Sequence, residues 1–248
     1  MATLVESHLV SDVFYKPMTE DGQRITLSSV AFEKNIRLQS GEWDAALVCA
    51  DCEASFDEFE KAGQSALIHA DWSALLRSDS RTVPPRSWFE LHEYNYRKLK
   101  VFFLITLWRC AASQRPFAQQ LELRDRLEVL RQMVLAKDPG RPEVFGVLAA
   151  KLRDGEVIAV DPRKIVSPPA PLGPDGSPWI TMAFHGFEFL IFTGENLPLG
   201  GGSRQLLNSP GPWIIDDSPY EISSVHHRAL ELTKSRLALW GPSKRRQS

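Results

Sequence analysis

The stretch "WFELHEYNYRKLKVFFLITLWRCAA", Trp88–Ala112, decides the fold, because its apolar residues form the widest stripe at helical spacing in the chain. It contains no glycine or proline, and apolar residues such as Leu91, Leu99 and Phe103 recur with a period close to that of a helix. Its most apolar section, Val101–Trp108, is much shorter than the roughly 20 residues that cross a bilayer. The pattern predicts one long helix at the centre of the core and no membrane-spanning segment.

Shorter periodic segments surround this helix. Strands and loops are predicted before residue 48, and helices are predicted at Phe56–Leu67, Leu121–Ala136 and Glu221–Trp240. Two pairs of apolar runs flank the dipeptides 154–155 (Asp-Gly) and 185–186 (His-Gly), which predict antiparallel hairpins because both turn positions favour positive φ. The proline-rich segment Ser167–Pro178 is predicted to be a surface loop.

The composition is that of an ordinary globular protein, with 248 residues, 43% hydrophobic and 24% charged. The formal net charge of -2 provides no protein-wide positive field for a nucleic-acid partner. The N-terminus lacks the residue order of a signal peptide, and the 3 cysteines are a sparse, odd set for a secreted disulfide scaffold. We therefore predict a cytoplasmic protein.

Two of the cysteines, Cys49 and Cys52, follow an apolar run and precede an acidic, helix-like segment. A strand end followed by a helix start is how half of a zinc knuckle brings two thiolates together. A closed zinc site needs four ligands, and the other cysteine, Cys110, lies in the apolar helix as a predicted core residue. A redox pair is an alternative, although no parallel βαβ unit is predicted around residue 50, and reduced packing thiols are another.

Three stretches of the chain resemble a widespread bacterial family of HNH-endonuclease-like, treble-clef proteins. They are "SHLVSDVFYKPM" at Ser7–Met18, "GEWDAALVCADCEASFDEFE" at Gly41–Glu60 and "NYRKLKVFFLITLWRCAAS" at Asn95–Ser113. Members of the family carry a Ser-His-Ile-Ile-Pro-like segment, a Leu-Cys-x-x-Cys-Glu knuckle and a Leu-Trp-Arg-Ala-Ser helix. The resemblance extends over most of the chain, and it is specific in these three stretches.

The resemblance implies a metal-dependent phosphodiesterase. His8 would be the general base that activates water, Glu53 would bind Mg²⁺ or Mn²⁺, and Arg109 would steady the phosphate. His8 would join Glu53 as a ligand or support of this metal, and the competing site is a zinc ion held by Cys49 and Cys52 with two borrowed ligands.

Other positions match the family less closely. Glu60 corresponds to the second glutamate of the family, and Asn35 is at most a weak match for the middle residue of the HNH pattern. Similar proteins carry another C-x-x-C upstream, so either this chain lost that half or the true start lies upstream of Met1. Asp12 stands near the position of the family proline, where it is available to assist His8, to bind a metal or to cap a helix.

The candidate site residues also have structural explanations. His8 is explained equally as an ordinary polar residue, and Glu53 and Glu60 as solvent-facing carboxylates in the first turns of a helix. Arg109 is a charge inside an apolar helix, and such charges are paired. A glutamate partner, at position 53, 60 or 93, is favoured over a phosphate.

These features predict an α+β protein in three segments that form one compact unit. Residues 1–75 form a small ββα, treble-clef-like part, residues 76–140 a helical core, and residues 141–248 an antiparallel sheet with a closing helix. The predicted function is an HNH-like metal-dependent nuclease or an inactive descendant of one, in a bacterial phage-defence or toxin system. The alternative is a catalytically inactive interaction protein that binds a protein or a nucleic acid, and no membrane partner is expected.

Overall fold

A computed structural model describes residues 3–19, 25–27, 36–38, 40–83, 85–118, 121–155, 160–173, 177–197, 204–208 and 211–240. The strands are, in chain order, β1 (Leu4–His8), β2 (Ile25–Leu27), β3 (Ile36–Leu38), β4 (Trp43–Cys49), β5 (Leu76–Asp79), β6 (Arg86–Leu91), β7 (Gly146–Arg153), β8 (Ser167–Pro171), β9 (Trp179–Phe184), β10 (Phe187–Phe192) and β11 (Trp213–Pro219). The helices are α1 (Lys16–Thr19), α2 (Ala50–Leu67), α3 (Trp72–Leu75), α4 (Tyr96–Ala112), α5 (Arg126–Ala136) and α6 (Ser224–Trp240). This mixture confirms the predicted α+β class.

The N-terminal part is a hairpin followed by a helix. Strands β1 and β4 pair antiparallel, and β4 runs directly into α2, as the residues around the cysteine pair predict. Between the two strands lie a 3₁₀ turn at Asp12–Tyr15, α1 and a separate antiparallel pair formed by β2 and β3. Asn35, the weak match to the HNH pattern, lies outside the described residues.

The single long helix predicted over Trp88–Ala112 is wrong in its first part. Residues 86–91 form β6, in which Phe89 and Leu91 are buried while their neighbours are only partly buried, a period of two rather than 3.6. Helix α4 begins after Asn95, whose side chain accepts a hydrogen bond from the backbone N–H of Lys98 at 3.0 Å. From Leu99 to Leu107 every residue of α4 is buried, so this helix is the central core element.

The large sheet has 7 strands in the order β5-β6-β11-β7-β10-β9-β8. Its strand pairs are antiparallel except for β11 and β7, which run parallel. The predicted C-terminal antiparallel sheet is therefore corrected in two respects: it is mixed, and it includes β5 and β6 from the segment that was expected to be helical. The larger of two hydrophobic clusters among the described residues contains residues from all three predicted segments.

The hairpin predicted at His185-Gly186 is confirmed, because β9 and β10 pair antiparallel and both turn residues have positive φ, 53° and 78°. At Asp154-Gly155 only the first strand, β7, is described, and residues 156–159 lie outside the described part. The loop predicted at Ser167–Pro178 is wrong in its first five residues, which form β8 at the sheet edge. Prolines are tolerated there because the outer side of an edge strand forms no hydrogen bonds to another strand, so the N–H that proline lacks is not needed.

Two further helices begin later than predicted. Helix α5 begins at Arg126 rather than Leu121 and ends at Ala136, and the C-cap Lys137 adopts a left-handed conformation with φ of 53°. A 3₁₀ turn occupies Tyr220–Ile222, so α6 begins at Ser224. No helix in the described ranges is long and apolar enough to cross a membrane.

Helices α2 and α4 pack closely against each other. At Gly63 of α2, an added Cβ would lie 2.8 Å from the Phe102 ring of α4, so only glycine permits this approach. On another side of α4, the ring of Phe103 lies 4.8 Å from that of Phe189 and 6.1 Å from that of Trp213, both in the large sheet. Helix α4 therefore connects the N-terminal hairpin and α2 with the sheet.

Candidate functional site

The cysteine pair lies at the junction of β4 and α2. Cys49 is the last residue of β4 and the N-cap of α2, with extended backbone angles (φ -84°, ψ 164°), and Cys52 lies in the first turn of the helix. Both thiols are free and partly exposed, whereas Cys110 is free and buried. The strand-to-helix geometry expected of half a zinc knuckle is thus present.

The two thiols of the pair have different electrostatic surroundings. Hydrogen bonds from the backbone N–H and the thiol of Cys52 lower the pKa of Cys49. The pKa of Cys52 is raised, first by the hydrogen bond that its thiol makes to Cys49 and then by burial. Cys49 is therefore the thiol that ionises more easily.

Arg109 connects α4 to α2 through two carboxylates. Its Nη2 donates to Glu53 Oε2 at 2.8 Å, and its Nη1 donates to Glu60 Oε1 at 2.6 Å. The guanidinium also lies 5.2 Å from the centre of the Phe56 ring. Glu53 and Glu60 stand about two helical turns apart, so both side chains lie on the face of α2 that meets Arg109. The prediction that a glutamate partner neutralises Arg109 is confirmed, with Glu53 and Glu60 sharing the role.

His8 lies at the end of the hairpin opposite to the cysteine pair. In the register of β1 and β4, Leu4 is the partner of Cys49 and His8 is the partner of Trp43. Cys49 lies six positions after Trp43 in β4, which corresponds to about 20 Å along the strand. The nearest carboxylate contact of His8 joins its Nε2 to Asp12 Oδ1 at 3.6 Å. The structure therefore does not bring His8 to the thiols.

Buried polar residues that the sequence did not single out lie near the His8 end of the hairpin. Asp44, opposite Ser7 in the register, accepts a hydrogen bond from Ser113 Oγ at 2.7 Å. Glu42 is buried and accepts from Arg115 Nε at 3.0 Å. The sequence distinguishes these residues only by position. Ser7, Glu42, Asp44 and Ser113 lie within the three stretches that carry the family resemblance, whereas Arg115 lies outside them. These contacts join the hairpin to the end of α4.

Comparison with known proteins identifies no relative. No family model, curated protein or solved structure matches the chain. The resemblance to HNH-like proteins therefore rests on the three quoted stretches, and the function has to be argued from the geometry of the site.

The predicted Mg²⁺ or Mn²⁺ ligand Glu53 lies beside a cation of the chain itself. The carboxylate of Glu53 is bound to Arg109, so a divalent cation there would have to approach a fixed positive charge. In the part of the chain that the structure describes, no three His, Cys, Asp or Glu side chains are grouped as metal ligands. Cys49 and Cys52 are free thiols and would supply two of the four ligands that a structural zinc site needs. The metal assignments stay predictions.

Proposed function

We propose that this chain is a catalytically inactive protein of HNH-like descent that acts by binding a protein partner. The observation that carries the proposal is the double ion pair of Arg109 with Glu53 and Glu60. In a metal-dependent nuclease, a carboxylate after the knuckle holds a divalent cation that polarises the phosphate and activates water. In this chain the corresponding carboxylate, Glu53, is ion-paired with the Arg109 guanidinium, and the pair joins α2 to α4.

The burial of Arg109 supports a structural role for its ion pairs. Its side chain is 1% exposed, whereas a residue that contacts a phosphodiester needs access to solvent. A buried charge that loses its partner destabilises the folded state. If Glu53 left Arg109 to bind a metal, only Glu60 would remain to neutralise the buried guanidinium. Glu53 and Arg109, two of the three residues assigned to catalysis from the resemblance, are thus explained by packing.

The surface charges favour a protein over a nucleic acid as the partner. Affinity for nucleic acid comes mainly from cations that are available to replace counterions on phosphates. Several surface cations are instead paired with carboxylates of this chain, as in Lys98–Glu58 at 2.8 Å, Arg131–Glu128 at 2.7 Å and Arg163–Asp161 at 2.8 Å. With a net charge of -2, the chain offers little general attraction for a polyanion.

Fluorescence anisotropy with labelled duplex DNA and a labelled RNA hairpin tests the choice of partner. The full chain is titrated at about 50 and about 200 mM salt. We expect dissociation constants no tighter than the roughly 10⁻⁴ to 10⁻⁶ M of non-specific binding. Tighter binding that weakens steeply with salt would assign a nucleic-acid partner instead.

The nuclease is the second candidate, and one contact favours it. Asp12 Oδ1 lies 3.6 Å from His8 Nε2, so a carboxylate stands beside the predicted general base and is placed to orient its ring. The same contact is explained by local structure, because Asp12 begins the 3₁₀ turn that follows β1. A cleavage assay separates the two candidates.

A further inference from the structure

The two edge strands of the large sheet differ in their capacity to pair with a further strand. Strand β8 forms one edge, and three of its five residues are prolines, which have no N–H to donate. Strand β5 forms the other edge, contains no proline and pairs only with β6 among the described residues. An edge strand without such protection is a template for another strand. The sheet therefore has one blocked edge and one edge that can accept a strand.

The residues of β5 are accessible to another molecule. Leu76, Arg77 and Ser78 are exposed, and only the last residue of the strand is partly buried. Leu76 is 45% exposed, although its partner in β6 is the buried Phe89. A strand added at a sheet edge gains main-chain hydrogen bonds and covers apolar side chains of this kind. The edge thus offers both backbone groups and apolar surface.

The charges of β5 are self-complementary in one antiparallel register. Arg77 and Asp79 flank Ser78, so a two-fold axis through Ser78 would place Arg77 of each copy opposite Asp79 of the other. Directly opposite residues of an antiparallel pair share a face, so both charge pairs would form on one side of the extended sheet. An axis through Arg77 or through Asp79 would instead place like charges opposite each other, which is destabilising.

Both charged residues are available for such contacts. Asp79 is paired with Arg81, whose side chain is 89% exposed, and Arg77 Nε lies 3.5 Å from Glu90 Oε2. The Nη1 atom of Arg77 donates to two backbone carbonyls beside it. Exposed ion pairs of this kind contribute little to stability, so a second copy can share them or replace them at small cost.

We propose that the chain forms a two-fold symmetric dimer in which β5 of one copy pairs antiparallel with β5 of a second copy about Ser78. The pairing joins two seven-stranded sheets into one continuous sheet and covers Leu76 at the join. The edges that remain are the proline-rich β8 strands, so assembly stops at the dimer. This inference does not depend on the proposed function, because a dimer neither requires nor excludes a further protein partner.

Sedimentation equilibrium of the full chain over about a hundredfold range of concentration tests the proposal. Wild type should reach twice the monomer mass of 27.9 kDa at the upper end of the range, with no larger species. Arg77→Asp places like charges opposite each other and should weaken the dimer at least about tenfold. Arg77→Asp combined with Asp79→Arg restores opposite charges and should return the dissociation constant to within about threefold of wild type.

Arg131→Asp is the matched control for the charge reversal. The Arg131 side chain on α5 is as exposed as that of Arg77, at 42% for each, and it also has a carboxylate partner within the chain. Its reversal should leave the dimer unchanged, because α5 lies outside the proposed interface.

A second measurement leaves the charges in place. Ser78→Cys should form a disulfide between two copies under mild oxidation, and peptide mapping separates this bond from any that involves a native cysteine. Opposite Cα atoms in an antiparallel pair lie about 4.5–5.5 Å apart, within the range that a disulfide spans.

Three results would overturn the proposal. The first is a wild type that stays monomeric over the whole range of concentration. The second is a dimer that a folded Arg77→Asp variant forms as tightly as wild type, or one that the folded double variant fails to restore. If circular dichroism shows that the charge variants do not fold, the Ser78→Cys variant decides, and the absence of a disulfide between the two copies of residue 78 contradicts the proposed pairing.

Discussion

Arg109 on α4 donates a hydrogen bond to Glu53 on α2 at 2.8 Å, although the Arg109 side chain is only 1% exposed. Its second bond, to Glu60 at 2.6 Å, reaches the same helix about two turns further on. The two bonds fix α2 to α4 over the length of these turns. The helix that begins at the cysteine pair is therefore held by an ion-pair cluster as well as by apolar packing.

Removal of both carboxylates should destabilise the protein strongly. Glu53→Gln combined with Glu60→Gln leaves the buried Arg109 guanidinium without a counter-charge, so we expect a loss of about 3–5 kcal/mol in the free energy of unfolding. Each single substitution should cost less, because one carboxylate remains. Urea denaturation of the three variants and wild type measures the differences.

Glu58→Gln is the matched control on the same helix. Glu58 also has an ion pair, with Lys98 at 2.8 Å, but both side chains are more than a third exposed. Its loss should cost less than about 1 kcal/mol. If the double variant is as stable as Glu58→Gln, the buried charge of Arg109 is neutralised by something other than these two carboxylates. The structural role proposed for Glu53 and Glu60 would then be wrong.

Lys100 should make stability depend on pH. It is buried in α4 and donates to the backbone carbonyl of Phe145, and burial lowers its pKa from 10.5 to about 7. Between these two pKa values the unfolded chain keeps a proton that the folded chain has lost, so stability rises with pH. Relative to Lys100→Met, the unfolding free energy of wild type should increase by about 2–3 kcal/mol from about pH 6 to about pH 9.

Urea denaturation of wild type and Lys100→Met at both pH values isolates this lysine, because the other titrating groups are common to the two proteins. An unchanged difference between the two proteins would show that Lys100 stays charged in the folded state.

Phe103 should be among the most costly residues to truncate. It is 0% exposed, and its ring contacts those of Phe102, Phe189 and Trp213. Phe103→Ala should cost about 3–5 kcal/mol in denaturant unfolding. Leu135→Ala, at a half-exposed position of α5, should cost less than about 0.5 kcal/mol and serves as the control. A loss below about 1 kcal/mol at Phe103 would place α4 at the periphery of the fold.

Local patterns in the sequence were sufficient for some elements of the fold. The hairpin at 185–186 follows from its turn residues, and the junction at Cys49 follows from an apolar run that meets an acidic helix start. The limits of α4 were harder to predict, because Trp88 and Leu91 fit a helical period while Phe89 and Leu91 fit a strand period. The Asn95 cap and the pairing with β11 decide between them.

Non-local pairings could not be predicted. The parallel contact of β7 with β11 joins residues 150–153 to residues 216–219, and no short-range pattern specifies it. The site shows the same limit. A charge inside an apolar helix indicates that Arg109 has a partner, but the choice of Glu53 and Glu60 depends on how α2 packs against α4. The position of His8 depends on the register of β1 and β4, which sequence spacing does not reveal.

The central claim is that the ion-pair cluster of Arg109, Glu53 and Glu60 replaces a catalytic metal centre. A plasmid-cleavage assay with Mg²⁺ and with Mn²⁺ tests it most directly, on wild type, His8→Ala and Glu53→Gln. The account predicts that wild type cleaves no more plasmid than a metal-free control and that neither substitution changes the result. Metal-dependent cleavage by wild type that His8→Ala and Glu53→Gln both abolish, while circular dichroism shows both variants folded, would contradict the account and establish the nuclease.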